Sequence, residues 1–162
     1  MTVVVSDTGP LIALAKVGKL DLLRDLFGAV LIPPAVYREL VAKPGSEFVN
    51  LQEALQDYLK PTAVGFVALE VEIVTAKLDC GEQEAIALAY ERKVLLLIDE
   101  RLGRIAASKL GLLVTGVVGV LVQAKQAGFE LTVKPLLEEM RQQGYWLSDG
   151  VLAMAAELAG EI

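Results

Sequence analysis

Short, almost wholly apolar runs alternate along the chain with longer amphipathic stretches. The runs are TVVVS at 2–6, AVLIP at 29–33, VLLLID at 94–99 and LLVTG at 112–116. Near-continuous apolar runs of this length are typical of strands buried on both faces of a parallel sheet. The stretches between them have helical spacing, so the pattern predicts an α/β fold in which helices cover a central parallel sheet.

Proline and glycine bound most of the predicted helices, which cover residues 10–16, 18–28, 34–43, 46–59, 79–93, 100–111, 117–128, 133–144 and 148–160. Gly28 is expected to stop the second helix, and Pro44 and Gly45 to close the third. The stretch 61–78 is ambiguous, because FVALEVEIV fits either a strand or a helix. At 162 residues we expect one domain over 1–162, with helices of about 133–160 packing onto it.

The composition is apolar, with 54% hydrophobic residues and a mean hydropathy of +0.52, which indicates buried strands or an apolar oligomer interface. No run reaches the roughly 20 uncharged residues that a membrane span needs. The N-terminus lacks a basic region and Asp7 interrupts its apolar run, so we expect no signal peptide. Cys80 is the single cysteine, which excludes an internal disulfide framework. A cytoplasmic location is the expectation.

The chain contains no histidine. Histidine-based acid–base catalysis, catalytic triads with histidine and histidine-ligated zinc are therefore excluded within it. Any enzymatic chemistry falls to carboxylates, hydroxyls, lysine and arginine, or a bound metal. The net charge of −6 argues against broad, non-specific binding of nucleic acid, but it permits a local basic rim around an acidic cleft.

The stretch VVVSDTGPLIALA presents Asp7 directly after the first predicted strand. Asp-Thr-Gly is also the signature of aspartic proteases, which are nearly all β. Here helix follows helix, and no flap hairpin is predicted, so the protease interpretation is rejected. A phosphatase with a nucleophilic aspartate would usually carry a second aspartate two residues later, where this chain has Gly9.

Two aspartates follow predicted strands, and in an open parallel sheet ligands gather at the carboxyl ends of the strands. Asp7 ends the first strand and Asp99 ends the run LLLID. Either one alone is equally consistent with an ordinary helix N-cap. Together at one sheet edge they predict a functional site.

Glutamates on two predicted helices extend the set. Glu39 lies one turn after Val36, which gives it an inward-facing position, although a solvated surface glutamate is the simpler interpretation. Glu82 shares the face of its helix that packs on the sheet. Asp79 and Glu82 are also spaced as a capping box, which would give Glu82 a purely structural role. Glu84 points to another side of the same helix.

Converging carboxylates repel one another and partly protonate unless a cation lies among them. Mg²⁺ and Mn²⁺ prefer oxygen ligands and retain bound water. Such an ion activates water and neutralises the leaving oxygen of a phosphodiester without help from histidine. The composition therefore permits metal-dependent phosphodiester hydrolysis.

Five blocks in order resemble the PIN-domain family. They are VVSDTGPLIALA, IPPAVYREL, LDCGEQEAIALA, LLLIDERLGRIAA and GLLVTGVVGVLVQAKQAG, and the resemblance runs from residue 2 to about residue 150. The middle block, Gly-Glu-x-Glu-Ala, is similar to a branch related to VapC-type toxin ribonucleases. The resemblance implies a three-layer α/β/α PIN-like fold with a central parallel sheet.

Carried over by motif, the resemblance implies that Asp7, Glu39 and Asp99 are the first, second and fourth acids of a site for Mg²⁺ or Mn²⁺. The third acid falls on Glu82, a glutamate where the family usually has aspartate, with Glu84 as the fallback metal ligand. Further substrate contacts are implied for the small hydroxyls and arginines near these acids, namely Ser6, Thr8, Arg101 and Arg104. The two arginines are equally consistent with solvated helix charges.

The implied function is a metal-dependent endoribonuclease acting on single-stranded RNA, as the toxin of a toxin–antitoxin pair with a cognate antitoxin protein. A homodimer is expected from the family habit and from the apolar composition. The alternative is a non-catalytic PIN-like module that binds RNA or a protein. The sequence pI of 4.7 keeps that alternative open, because it is low for an RNA-binding protein.

Overall fold

Five parallel strands form the central sheet within residues 2–42 and 45–162, which the computed structural model describes. They are β1 Thr2–Ser6, β2 Gly28–Ile32, β3 Leu59–Pro61, β4 Leu95–Leu97 and β5 Val114–Thr115. Their order across the sheet is β3-β2-β1-β4-β5. Every pairing is parallel, with Val4 opposite Val30 on one side of β1 and opposite Leu95 on the other.

Ten helices lie in the described part of the chain. They are α1 Thr8–Lys16, α2 Leu22–Phe27, α3 Pro34–Ala42, α4 Phe48–Leu55, α5 Leu69–Thr75, α6 Cys80–Arg92, α7 Arg101–Lys109, α8 Val117–Gln126, α9 Val133–Gln142 and α10 Asp149–Leu158. The predicted end of the third helix at Lys43 and Pro44 lies outside the described residues.

Alternate residues of the central strands face two separate hydrophobic cores. Val4 of β1 packs in a core with residues of α1, α2, α4 and α8 to α10, whereas Val5 packs in a core with residues of α5 to α7. Both valines are fully buried. Because successive side chains of a strand point to opposite faces, an apolar run without polar interruption is what a doubly covered strand requires. The three-layer α/β/α prediction is confirmed.

The edge of the sheet differs from the sequence prediction. The helix expected over 46–59 ends at Leu55, and Leu59 begins the short edge strand β3. Only Leu59 of that strand is buried, so the three residues show no alternation of apolar and polar positions that would predict a strand. The ambiguous stretch 61–78 contains helix α5. The second predicted helix is also shorter than expected, and α2 occupies Leu22–Phe27.

The two closing helices pack on the first core through Leu137 of α9 and Leu152 of α10. Glu161 follows α10, and its carboxylate accepts hydrogen bonds from the backbone N–H groups of Val133 at 2.6 Å and Lys134 at 2.9 Å. These are orphan donors at the start of α9, which a carboxylate stabilises. Among the helices of residues 2–42 and 45–162, none has the length and apolar character needed to cross a membrane.

Candidate active site at the carboxyl edge of the sheet

The order of the strands reverses between β1 and β4, so the crevice at their carboxyl ends is the topological switch point where open α/β sheets bind ligands. Asp7 follows β1 and Asp99 follows β4 by two residues. The Asp7 backbone N–H donates to the Leu97 carbonyl at 2.9 Å, which extends the pairing to the mouth of the crevice. A cavity of about 450 Å³ beside Lys93 and Leu113 lies at the opposite, amino edge.

Asp7 is buried, with 9% of its surface exposed. It stands at the N-cap position of α1, yet its side chain makes no capping hydrogen bond. Burial raises the pKa of Asp7 to about 6, the nearby Thr8 backbone opposes the shift, and the carboxylates of Asp79, Glu39 and Asp99 add to it. The structure thus brings Asp79, Glu39 and Asp99 within electrostatic reach of Asp7, and it removes the capping explanation for Asp7.

Asp99 is held in place by two donors. Its carboxylate accepts from the Val117 backbone N–H at 3.1 and 3.3 Å, and its Oδ2 accepts from the Tyr145 hydroxyl. Asp99 therefore satisfies the start of α8, while Glu100 caps α7. Burial raises the pKa of Asp99, and the hydrogen bonds from Tyr145 and Val117 together with the charge of Arg104 limit the rise.

Glu82 is the most buried acid of the site, with 7% of its surface exposed. The Asp79 side chain accepts a 2.8 Å hydrogen bond from the Glu82 backbone N–H, so Asp79 is the N-cap of α6. Within the described residues, Oε2 of Glu82 has no hydrogen-bond partner. Burial raises the pKa of Glu82 to about 8, and the neighbouring Asp79 and Glu100 carboxylates add to the shift.

Glu39 reaches the same region from α3, although it is exposed rather than inward-facing. Its Oε1 lies against Gly81, at the place where a Cβ atom on that residue would be, and Asp79 Oδ1 is 3.5 Å from the same place. A glycine at 81 therefore allows the side chain of Glu39 to lie directly on the first turn of α6.

Glu84 has other partners. Its Oε1 accepts from the Ala35 backbone N–H at 3.0 Å, and its Oε2 is 4.0 Å from Nη2 of Arg38. It is also not among the carboxylates that shift the pKa of Asp7 or Glu82. Of the two alternatives for the third acid, the structure brings Glu82, and not Glu84, to the other acids.

The predicted substrate contacts fall in different surroundings. Ser6 is fully buried and its hydroxyl donates to the Asp7 carbonyl at 2.8 Å. Thr8 Oγ1 is buried, with no partner in the part of the chain that the structure describes. Arg101 is exposed, whereas Arg104 is half-buried near Asp99. Their roles toward a substrate stay predictions.

Sequence reasoning missed three residues of this site. The sequence predicts only a helix-capping role for Asp79, and its spacing to Glu82 is the available signal. Glu100, which follows Asp99 directly, is absent from the predicted set. Tyr145 lies 46 positions from Asp99, so no local pattern could have indicated its contact.

The carboxylates of the site are of the chemical type that binds a divalent cation. Asp7 and Glu82 are buried, raised in pKa and surrounded by other carboxylates, and Glu82 Oε2 has no partner. Such a set is stabilised by a cation with oxygen-ligand preference. Within residues 2–42 and 45–162, however, no three acidic or cysteine side chains already converge closely enough to hold one ion. Binding would therefore require side-chain adjustment.

Residues 3–161 match the sequence model of a family described as a PIN domain, DUF3368. No curated protein matches the chain significantly. The match covers nearly the whole chain and agrees with the all-parallel sheet and its covering helices. The chain belongs to the PIN-domain family.

Proposed function

We propose that this protein is a Mg²⁺- or Mn²⁺-dependent endoribonuclease that hydrolyses phosphodiester bonds of single-stranded RNA. The observation that carries the proposal is a pair of buried acids beside Asp99 at the switch point of the sheet. The side chain of Asp7 makes no capping hydrogen bond, and Oε2 of Glu82 has no partner in the described residues. Buried carboxylates that repel one another destabilise a fold, so a function is the natural reason to retain them.

Membership of the family supports the proposal. PIN domains are in general nucleases, they typically bind divalent metals, and PIN nucleases act on RNA and often pair with antitoxins. The toxin role, a cognate antitoxin and a cytoplasmic location are further parts of the proposal.

Asp7, Glu82 and Asp99 would hold the cation, with Glu39 and Asp79 around it, while Glu84 would keep its hydrogen bond to Ala35 of α3. A bound divalent ion lowers the pKa of water and neutralises charge on the leaving oxygen. Asp7 and Glu82 bind a cation only when ionised, and their raised pKa values tie that binding to pH.

The protein has a net charge of −6, so binding of the substrate's phosphates requires positively charged side chains close to the site. Arg104 lies close enough to affect the pKa of Asp99, and Arg101 is exposed at the start of the same helix. Cationic contacts of this kind position the backbone without reading sequence. Because these two arginines are the proposed phosphate contacts, we expect RNA to bind only at the mouth of the crevice.

A homodimer is also part of the proposal. Large apolar side chains are exposed on and just before α5, namely Phe66, Leu69 and Ile73. Exposed apolar groups in one region are typical of interaction surfaces. Light scattering at micromolar concentration tests this point, and a monomeric mass would contradict it.

One observation favours the second candidate, a non-catalytic PIN-like module. Val117 and Tyr145 already occupy the oxygens of Asp99, and no three acids within the described residues are assembled around one ion. In that case the acids would be a remnant of a site, and the protein would bind RNA or a protein partner without cutting it.

The test is cleavage of a mixed pool of end-labelled single-stranded RNAs with Mg²⁺, with Mn²⁺ and with EDTA, by the wild-type protein and by Asp7→Asn. Asp57→Asn is the matched control, because Asp57 is an exposed aspartate just before β3, at the opposite edge. Cleavage that requires metal and is lost only in Asp7→Asn supports the proposal. Absence of both cleavage and Mn²⁺ binding in calorimetry favours the non-catalytic module.

A further inference from the structure

A groove of about 410 Å³ opens beside Asp99, between the start of α8 and the final helix α10. Asp99 and Arg104 line one end. Trp146 and Met154 line it as well, together with the stretch that precedes α10. The groove is therefore acidic and basic at the catalytic end and aromatic or apolar elsewhere.

Trp146 is the single tryptophan of the chain, and 81% of its surface is exposed. The residue before it, Tyr145, donates its hydroxyl to Asp99. Consecutive Cα atoms are about 3.8 Å apart, so the Tyr145 contact holds the backbone of Trp146 near the groove, which Trp146 and Asp99 both line. An indole exposed to this extent contributes little to the core, which leaves its large flat face free for a ligand.

Arg104 supplies a positive charge to the same groove. Its Nη1 is 3.2 Å from the position that a Cβ on Gly116 would have, and its charge limits the pKa rise of Asp99. The groove thus brings a cation and an exposed aromatic residue together beside Asp99, one of the acids of the candidate hydrolytic centre. Phosphate contact by arginine and base stacking on an aromatic ring are the two elements of single-stranded RNA recognition.

We propose that Trp146 is a stacking platform for an unpaired nucleobase of single-stranded RNA, whose neighbouring phosphate is contacted by Arg104. The proposal rests on the ribonuclease function above and adds the residue that selects the single-stranded state. Bases in a duplex are already stacked and do not present a free face, so a duplex is excluded from the platform. Every base has a π-face, so Trp146 discriminates single strands from duplexes but not one base from another.

The experiment uses the Asp7→Asn protein as the parent, so that bound RNA is not cut. Binding of an end-labelled oligoribonucleotide of mixed sequence is measured by fluorescence anisotropy, and the intrinsic emission of the single tryptophan is recorded in the same titration. Trp146→Ala and Trp146→Phe are made in this parent. Leu113→Ala is the matched control, because Leu113 is a large apolar residue with 76% exposure at the opposite, amino edge of the sheet.

The single strand is expected to quench the tryptophan emission of the parent. Trp146→Ala should raise the dissociation constant by roughly 5- to 150-fold, the range found when a stacking aromatic is removed. Trp146→Phe should retain part of the affinity, and Leu113→Ala should bind as the parent does. An abasic strand of equal length keeps the phosphates, so it should bind the parent and Trp146→Ala alike.

Equal binding of the normal strand by the parent and Trp146→Ala overturns the proposal, and so does an abasic strand that binds the parent as well as the normal one does. Wild-type cleavage in those cases leaves the ribonuclease function standing. Absence of both RNA binding and wild-type cleavage removes both proposals. Quenching by an amphipathic peptide but not by RNA would assign the groove to a protein partner and also overturn the proposal.

Discussion

Asp79 and Glu82 form only one half of a capping box. The Asp79 carboxylate accepts a 2.8 Å hydrogen bond from the Glu82 backbone N–H, but Glu82 Oε2 has no partner in the described part of the chain. In a complete box the glutamate would return a hydrogen bond to the backbone of the cap. Here it lies buried near Gly103, with Oε2 3.1 Å from the position that a Cβ on that residue would have. The same spacing therefore serves capping through Asp79 and leaves the Glu82 side chain without a capping role.

The first prediction concerns the pH dependence of the metal-free protein. The pKa of Glu82 is about 8 in the folded state against 4.5 ordinarily, so the folded state binds more protons than the unfolded chain between these values. The free energy of unfolding should therefore fall as pH rises through this window, by on the order of 1–3 kcal/mol. Asp7, with a pKa of about 6, contributes to the lower part of the same window.

Urea denaturation in EDTA at a series of pH values measures this dependence. Glu82→Gln should flatten the slope and be more stable than the wild type above about pH 8. Asp57→Asn, which removes an exposed carboxylate, should leave the slope unchanged. A wild-type slope that is flat or rises with pH between 5 and 8 would contradict the prediction.

The second prediction is that Asp7→Asn abolishes the stabilisation of the protein by Mn²⁺ without lowering its stability in the absence of metal. Replacing a buried carboxylate that repels its neighbours should keep or raise the melting temperature without metal. Mn²⁺ should raise the melting temperature of the wild type but not of the variant, since binding to the folded state stabilises it by mass action. Cleavage should fall by roughly 10²-fold or more, because a bound ion supplies several kcal/mol of charge stabilisation. Differential scanning calorimetry with and without Mn²⁺ checks the stability, and an equal Mn²⁺ response of both proteins would refute it.

The third prediction is that Gly116→Ala displaces the Asp99 carboxylate, because the added methyl group occupies its place. A Cβ at this position would overlap Oδ1 of Asp99. The carboxylate must then turn away from Val117 and Tyr145, and lost hydrogen bonds to a charged group should lower the free energy of unfolding by about 1–3 kcal/mol. Cleavage should fall with it.

The control for that variant is Gly150→Ala, where a Cβ would make only an ordinary 3.8 Å contact with Ser148 Oγ. Activity assays beside urea denaturation compare the two alanines. Full activity of Gly116→Ala would show that Asp99 does not need its present position.

The fourth prediction concerns the Asp-Thr-Gly stretch itself. Gly9 lies in the first turn of α1, its φ is not in the left-handed region, and a Cβ would meet no atom within 4 Å. Gly9→Ala should therefore stabilise the protein by up to about 1 kcal/mol through a smaller loss of backbone entropy, without reducing cleavage. Denaturation and cleavage assays on the same preparation check both parts. A large loss of cleavage with folding intact would mean that substrate passes directly over this glycine.

Much of the fold could be predicted because its signals are local. The apolar runs of β1 and β4 mark doubly buried strands, and the aspartates that follow them mark the carboxyl edge. Strand β3 gave no such signal, because an edge strand with one buried residue, Leu59, has no detectable period.

The candidate site was predictable only in part. Position after a strand indicates Asp7 and Asp99, but whether such an aspartate caps its own helix depends on backbone geometry. Asp7 does not cap α1, and Asp99 bonds to the start of α8 instead of α7. The packing of α3 against α6 takes the Glu84 carboxylate to the Ala35 backbone and leaves Glu82 beside the other acids, which no single-sequence pattern reveals.

The long-range pairing of β1 with β4 has a consequence for protein synthesis. Val4 pairs with Leu95, so Asp7 meets Asp99 only after most of the chain has left the ribosome. Such pairings form late and slowly compared with local contacts. Tyr145, which holds Asp99 in position, is translated later still. A nascent chain thus lacks the assembled acids until Tyr145 has been synthesised, and the cleavage proposed above would be delayed until then.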